Sequence, residues 1–209
     1  MAERSRVAVL ISGRGSNMAA LIYAGRADDC PYEVVLVTGD RPEAPGLTLA
    51  QAEGTQVARL DAKVLGKAYW DELDATLRAH DIDLVALAGF MRIIPTDFVE
   101  RWAGRIVNIH PSLLPKYKGL HTQSQALAND DRISGATVHL VTPDLDAGPI
   151  LLQAAVEVKD TDTVETLSAR ILEQEHRIYP EAIVLALTDT WRVEGRRVIR
   201  RVSAQASRI

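Results

Sequence analysis

Residues 7–17 read Val-Ala-Val-Leu-Ile-Ser-Gly-Arg-Gly-Ser-Asn. Five consecutive aliphatic residues with no polar alternation predict a strand buried on both faces. The run stops at Ser12-Gly13, and good helix formers follow over 17–24 before Gly25. A buried strand feeding a helix through a glycine-rich turn is the opening unit of a parallel α/β sheet. The alternation continues outward from it. Residues 33–38 read as a second buried strand, 47–53 as a short helix closed by Gly54, and 56–60 as a third strand. Residues 67–80 are helical, with Trp70, Leu73 and Leu77 at three- or four-residue spacing. Residues 84–87 make a fourth strand, 95–102 a short helix opened by Pro95, and 105–109 a fifth strand.

The second half changes character. Residues 135–141 and 150–158 look like strands joined by a loop holding Pro143, Asp144, Asp146, Gly148 and Pro149. No helix fits between them, so at least one strand pair is antiparallel. Residues 163–187 form a long helix with Leu167, Ile171, Ile178 and Ile183 in register, and a terminal hairpin turns at Glu194-Gly195. The expected fold is α/β: a Rossmann-like, mostly parallel sheet with helices on both faces and antiparallel strands in the C-terminal half. It is read as one domain over 1–209.

Composition narrows the function. The 209 residues include 28 acidic and 24 basic side chains, a net charge of −4, and 47% are hydrophobic. Collagen-like, coiled-coil and disordered classes are excluded. A single cysteine, Cys30, excludes an internal disulfide framework and zinc sites built on several thiolates. The acidic balance argues against bulk nucleic-acid binding. No apolar run approaches the ~20 residues of a membrane span, and residues 7–11 are too short for a secretory h-region. A cytoplasmic protein is expected. The charge is uneven: from Trp191 onward six arginines face one acid, Glu194. That basic tail is expected to pack on the acidic body or on a second subunit of a homodimer.

Ligands of open parallel sheets bind beyond the carboxyl ends of the strands. That singles out residues 12–17, 89–94 and 108–115. The first turn offers exposed amides at a helix start, which favour a phosphate. It is neither the dinucleotide fingerprint, since Met18 stands where the third glycine belongs, nor a Walker A loop. The alternative is a tight turn capped by Ser16. In Asn108-Ile109-His110 the two polar side chains share one strand face. An amide and an imidazole converging there suit carbonyl polarisation and proton transfer. The 144–148 loop supplies carboxylates, solvated or paired with His110; pairing would raise the imidazole pKa and favour imidazolium near neutral pH. His121 and His139 are also open to a role, although His139, inside a strand, reads as structural.

Together these segments resemble the folate-dependent glycinamide ribonucleotide formyltransferases. The matching stretches are residues 9–17, 87–94, 108–117, 119–122, 135–140, 145–149 and 174–180, spread over nearly all of 6–187. The resemblance implies formyl transfer from 10-formyltetrahydrofolate, as cosubstrate, to the amine of 5-phosphoribosylglycinamide, without a metal. It implies Asn108, His110 and Asp146 as catalytic residues, and Gly15, Ser16 and Asn17 as the phosphate site. Glu175 would contact the ribose. Met91, Arg92, Ile93, Ile94, Val141, Thr142, Pro143 and Asp144, with Asn108, would form the folate cleft. Residues 1–108 would be the nucleotide half and 109–209 the folate half. The partners implied are these small molecules, with no nucleic acid or membrane. Two positions depart from the family: Gln123-Ser124 replaces a frequent His-Arg, and Lys67 stands near a frequent arginine. Formyltetrahydrofolate hydrolases would share the three catalytic residues, and a nucleotide-binding regulator would keep the fold without turnover.

Overall fold

The first strand sorts its side chains into two cores. Val7, Val9 and Ile11 join one buried cluster, and Ala8 and Leu10 join the other. That is the period-two alternation of a strand with both faces covered. The computed structural model describes residues 3–187 and 191–200. Its first half runs β1 (Ser5–Ile11), α1 (Ser16–Gly25), β2 (Tyr32–Gly39), α2 (Pro45–Ala52), β3 (Gln56–Ala58), α3 (Ala62–Leu65), α4 (Tyr69–Ala79), β4 (Leu84–Leu87), α5 (Thr96–Arg101) and β5 (Ile106–His110). The second half runs α6 (Thr122–Ala128), β6 (Ile133–Leu140), β7 (Ile150–Glu157), α7 (Val164–Leu187), β8 (Trp191–Glu194) and β9 (Arg197–Arg200).

Among the described residues the sheet has nine strands, in the order β3-β2-β1-β4-β5-β6-β7-β9-β8. The five strands from β3 to β5 are parallel, β5–β6 and β6–β7 are antiparallel, and the hairpin adds to β7 through a parallel β9. The fold is the expected Rossmann-like one with an antiparallel C-terminal end. Strand order reverses between β1 and β4, which marks the crevice where ligands of such sheets bind. Helices α1 and α7 cover one face, and the buried side chains of α3, α4 and α5 cover the other. The Tyr179 hydroxyl donates to the Leu87 carbonyl at 2.9 Å, which fixes α7 over the sheet where β4 ends.

Four local features differ from expectation. The helix expected over 67–80 begins as a 3₁₀ turn, Gly66–Ala68, before α4. Ahead of it lies α3, capped by the Asp61 carboxylate, which accepts from the Lys63 and Val64 N–H groups at 2.8 and 3.3 Å. The third strand is only three residues long, and α6 was not anticipated. Among the described residues no helix is long and apolar enough to cross a membrane.

Candidate active site

Strand β5 has a parallel neighbour on one side and an antiparallel one on the other, and its last polar residues open onto a cavity of about 600 Å³. Asn108, His110 and Asp146 all line it. So do Met91, Arg92, Ile93 and Ile94 beyond β4, and Val141, Thr142, Pro143 and Asp144 beyond β6. The mouth is apolar: Met91 is 65% and Ile93 85% exposed, with Leu120 and Leu145 also open to solvent. Phe90 also lines the cavity and packs edge-on against Trp70 of the α4 core. The Arg92 guanidinium lies 5.3 Å from the centre of the Tyr69 ring.

His110 is held from two sides. Its Nε2 lies 2.8 Å from the Tyr117 carbonyl oxygen. A carbonyl only accepts, so Nε2 carries the hydrogen and the neutral ring keeps its lone pair on Nδ1. Nδ1 faces Asp146 Oδ2 at 3.5 Å. On the other side of that carboxylate stands His139, with Nε2 at 3.6 Å from Oδ1. His139 Nδ1 lies 2.9 Å from the Leu140 carbonyl, and its Nε2 lies 3.2 Å from the Asn108 amide nitrogen. The same logic leaves the His139 lone pair on Nε2, accepting from Asn108. The Gly119 N–H donates to Asp146 Oδ2 at 2.8 Å. His110 Nδ1 thus keeps its lone pair on the Asp146 side, where an arriving proton finds an acceptor, while the His139 lone pair is engaged by Asn108.

The charge state follows from burial. His110 and Asp146 are only 5% and 7% exposed. Burial pushes the His110 pKa down and outweighs the Tyr117 carbonyl and the Asp146 charge, which support the imidazolium. The expected imidazolium is thus corrected: the carboxylate acts in the anticipated direction, but desolvation of the ring is larger. Burial also works to raise the Asp146 carboxyl. His139, when its Nε2 carries a proton, and the Gly119 N–H overcome it, with the His110 charge adding to them once that ring is protonated, and hold it below the usual carboxylate range. The ligand-free site holds an ionised Asp146 beside a neutral His110 at neutrality.

His110 should accordingly titrate below its ordinary 6.5 in the ligand-free protein. Asp146→Asn should lower its midpoint further, because the variant removes a charge that favours the imidazolium. A histidine with a depressed folded-state pKa supports folding above its unfolded value and loses that support as pH falls through the folded one. This group therefore contributes to loss of stability below neutrality. An NMR titration of the ring carbons checks the shift; a midpoint above 6.5, or a rise in the variant, contradicts it.

A second region lies at the start of α1. Gly15 adopts φ 79°, where a Cβ would meet Gly46 Cα at 3.2 Å. The helix begins without a side-chain cap, so the expected alternative of a turn capped by Ser16 is not what forms. Its first N–H groups have no intrahelical partner. Asn17 Nδ2 donates to Glu175 Oε2 at 2.7 Å across the α1–α7 packing. Burial pushes the Glu175 carboxyl up, and the Asn17 amide opposes it. Asn17 Oδ1 is buried and has no partner among the described residues. Gly15, Ser16, Asn17 and Glu175 do not line the cavity of Asn108 and His110. Ser12 joins the two regions: its N–H donates to the Gly89 carbonyl at 3.3 Å, and its Oγ accepts the Met91 N–H at 2.9 Å.

Tyr117 escaped the sequence, Ser12 was singled out only as part of the 12–17 turn, and His139, open to a role but read as structural, stands beside Asp146 and Asn108. The β5–β6 register sets Asn108 opposite His139 and His110 opposite Thr137. Once that register is known, His139 shares the face of Asn108. Among the described residues no group of three or more His, Cys, Asp or Glu is arranged to hold a metal ion.

Residues 5–183 match the formyl transferase family. The chain belongs to that family. It is 44% identical over 192 residues to the phosphoribosylglycinamide formyltransferase of Escherichia coli, covering 91% of this chain and 88% of the relative. It is 43% identical over 190 residues to the human trifunctional purine biosynthetic protein adenosine-3, covering 90% of this chain but 19% of that longer protein. The chain spans 14% of the Drosophila melanogaster protein of the same name. Among solved structures, glycinamide ribonucleotide transformylase 1 from Symbiobacterium toebii superposes with a TM-score of 0.91 at 44% identity, covering 96% of this chain and 95% of that one. The formyltetrahydrofolate deformylase of Burkholderia mallei superposes with a TM-score of 0.84 at 25% identity, covering 95% of this chain and 70% of that one.

Proposed function

We propose that this chain transfers the formyl group of 10-formyltetrahydrofolate to the amine of 5-phosphoribosylglycinamide, giving formylglycinamide ribonucleotide and tetrahydrofolate. The observation that carries this is the convergence of Asn108, His110 and Asp146 on one cavity beside a free helix start. The uncapped amides of Ser16 and Asn17, after the left-handed turn at Gly15, suit a phosphate. Glu175, held by Asn17 Nδ2 at 2.7 Å, would accept from the ribose hydroxyls. The apolar mouth formed by Met91 and Ile93, with backbone groups of 91–94 and 141–144, suits a flat folate ring. Both regions draw on both halves of the chain.

In this reaction the substrate amine attacks the formyl carbon, and negative charge builds on the formyl oxygen. Asn108 has two amide hydrogens; one goes to His139, and the other is free to donate to that oxygen. The attacking nitrogen must lose a proton. His110 Nδ1, neutral and facing Asp146, receives it, and the imidazolium then has an acceptor on each side. Protonated, His110 adds a positive charge beside that oxygen, while its two N–H groups stay on the Tyr117 carbonyl and the Asp146 side. When the carbon–nitrogen bond to folate breaks, the same proton returns to the leaving nitrogen, so the cycle closes without net proton change. No covalent bond to the protein is formed.

Incubation of the chain with both substrates should yield formylglycinamide ribonucleotide and tetrahydrofolate in equal amounts. Formate released without the ribonucleotide would assign a hydrolase, and binding without turnover a regulator. Ser16→Ala should raise the ribonucleotide KM by about two- to tenfold, the loss of one modest hydrogen bond, with kcat nearly unchanged. An unchanged KM would move the phosphate elsewhere.

A further inference from the structure

The C-terminal hairpin touches the reacting groups through one side chain. Arg196, in the turn between β8 and β9, donates from Nη2 to the Asp146 carbonyl at 2.9 Å. Its own carbonyl accepts the Ile150 N–H at 2.6 Å. One residue thus holds both ends of the 146–150 turn. That turn is strained: Asp146 has φ 47°, a left-handed conformation that costs an L residue about 1 kcal/mol or more. On its other side the turn is wedged against β6. A Cβ on Gly148 would stand 1.8 Å from the Leu140 carbonyl oxygen, and the Leu140 N–H donates to the Pro149 carbonyl at 2.9 Å. Backbone packing fixes the turn from the β6 side, and Arg196 fixes it from the hairpin side.

The guanidinium is not well served by this placement. Its Nε is buried without a partner among the described residues. Burying one N–H of a half-buried guanidinium without a partner, for a single carbonyl contact, is poor use of it as a structural tie. The residue whose carbonyl it holds also carries the carboxylate that receives the Gly119 N–H and faces His110 and His139. We infer that Arg196 is a positioning residue for Asp146. The hairpin sets the backbone of the carboxylate-bearing turn, and through it the spacing of Asp146 from both histidines. The kinetic consequence rests on the formyl transfer proposed above; the structural one does not.

The test uses the full-length chain with Arg196→Met and Arg196→Lys. The Gly119 amide reports the Asp146 carboxylate directly, and the Ile150 amide, bonded to the Arg196 backbone, reports whether the hairpin stays docked. Gly119 exchange should accelerate about tenfold or more in the Met variant and recover most of its protection in the Lys variant, with Ile150 unchanged. Turnover should fall about tenfold in the Met variant with both KM values within about twofold, as expected when a reacting group is misplaced. Unchanged Gly119 exchange in the Met variant overturns the proposal. So does joint loss of protection at Gly119 and Ile150 with a lowered Tm, which would make Arg196 a plain hairpin tie. A raised KM at constant kcat overturns it as well. If the unaltered chain transfers no formyl group, the functional reading fails, and Gly119 exchange still decides the role of Arg196.

Discussion

His110→Ala should reduce turnover by about 10³- to 10⁴-fold while the protein stays folded, because it removes both a proton carrier and the positive charge that the carrier places beside the oxyanion. The ring is buried at the end of β5, with Nε2 on the Tyr117 carbonyl and Nδ1 on the Asp146 side. Neither neighbour can replace it. His139 has its Nε2 lone pair engaged by Asn108, and Tyr117 offers only a carbonyl there. Water entering the vacated space can accept a proton but cannot hold it between two fixed acceptors. The structural cost is the lost packing of one ring and of one hydrogen bond to the Tyr117 carbonyl, which Ser112 Oγ still reaches at 3.2 Å, about 1–3 kcal/mol. Circular dichroism should show a lowered Tm with the native spectrum. Retention of more than about a tenth of wild-type kcat would remove His110 from the chemical step.

Asp146→Asn should lower kcat by about 10²- to 10³-fold, a loss of the order seen when electrostatic support of a transition state is removed. Shape is conserved, and the amide oxygen can still accept the Gly119 N–H. With that bond kept, the side-chain nitrogen takes the Oδ1 place facing His139, and a neutral amide oxygen is left beside His110 with no charge to stabilise the imidazolium. The ribonucleotide KM should change little, since Gly15 to Asn17 and Glu175 lie outside this cavity. Steady-state kinetics with varied ribonucleotide at saturating folate separates the two effects. A KM rise that accounts for the whole loss would place Asp146 in binding instead.

Much of this was visible in residues 7–17 and 108–110. The unbroken aliphatic run required a strand covered on both faces, and Val7 to Ile11 divide between two cores as that demands. The shared face of Asn108 and His110 needed only strand periodicity. What could not be read locally depends on pairing or on the backbone. His139 enters the site through antiparallel register with β5, which no stretch of local sequence encodes. The Tyr117 carbonyl that orients His110 is a main-chain group, carried by every residue type. The sign of the His110 shift is a difference between burial and a nearby charge, and only coordinates give the burial. The turn before α1 looked compatible with a Ser16 cap; Gly15 in a left-handed conformation makes Ser16 the first helical residue instead.

Ser12 carries a consequence for substrate choice. Its main-chain and side-chain bonds lock the loop after β1 to the segment after β4. The span from the anion site proposed at the start of α1 to the polar end of β5 is therefore a fixed length, set by adjacent strands. Such a site works as a ruler. An acceptor whose phosphate arm is one bond too long or too short can dock at either end but cannot bring its amine to the reacting carbon, so it should behave as an inhibitor and not as a slow substrate.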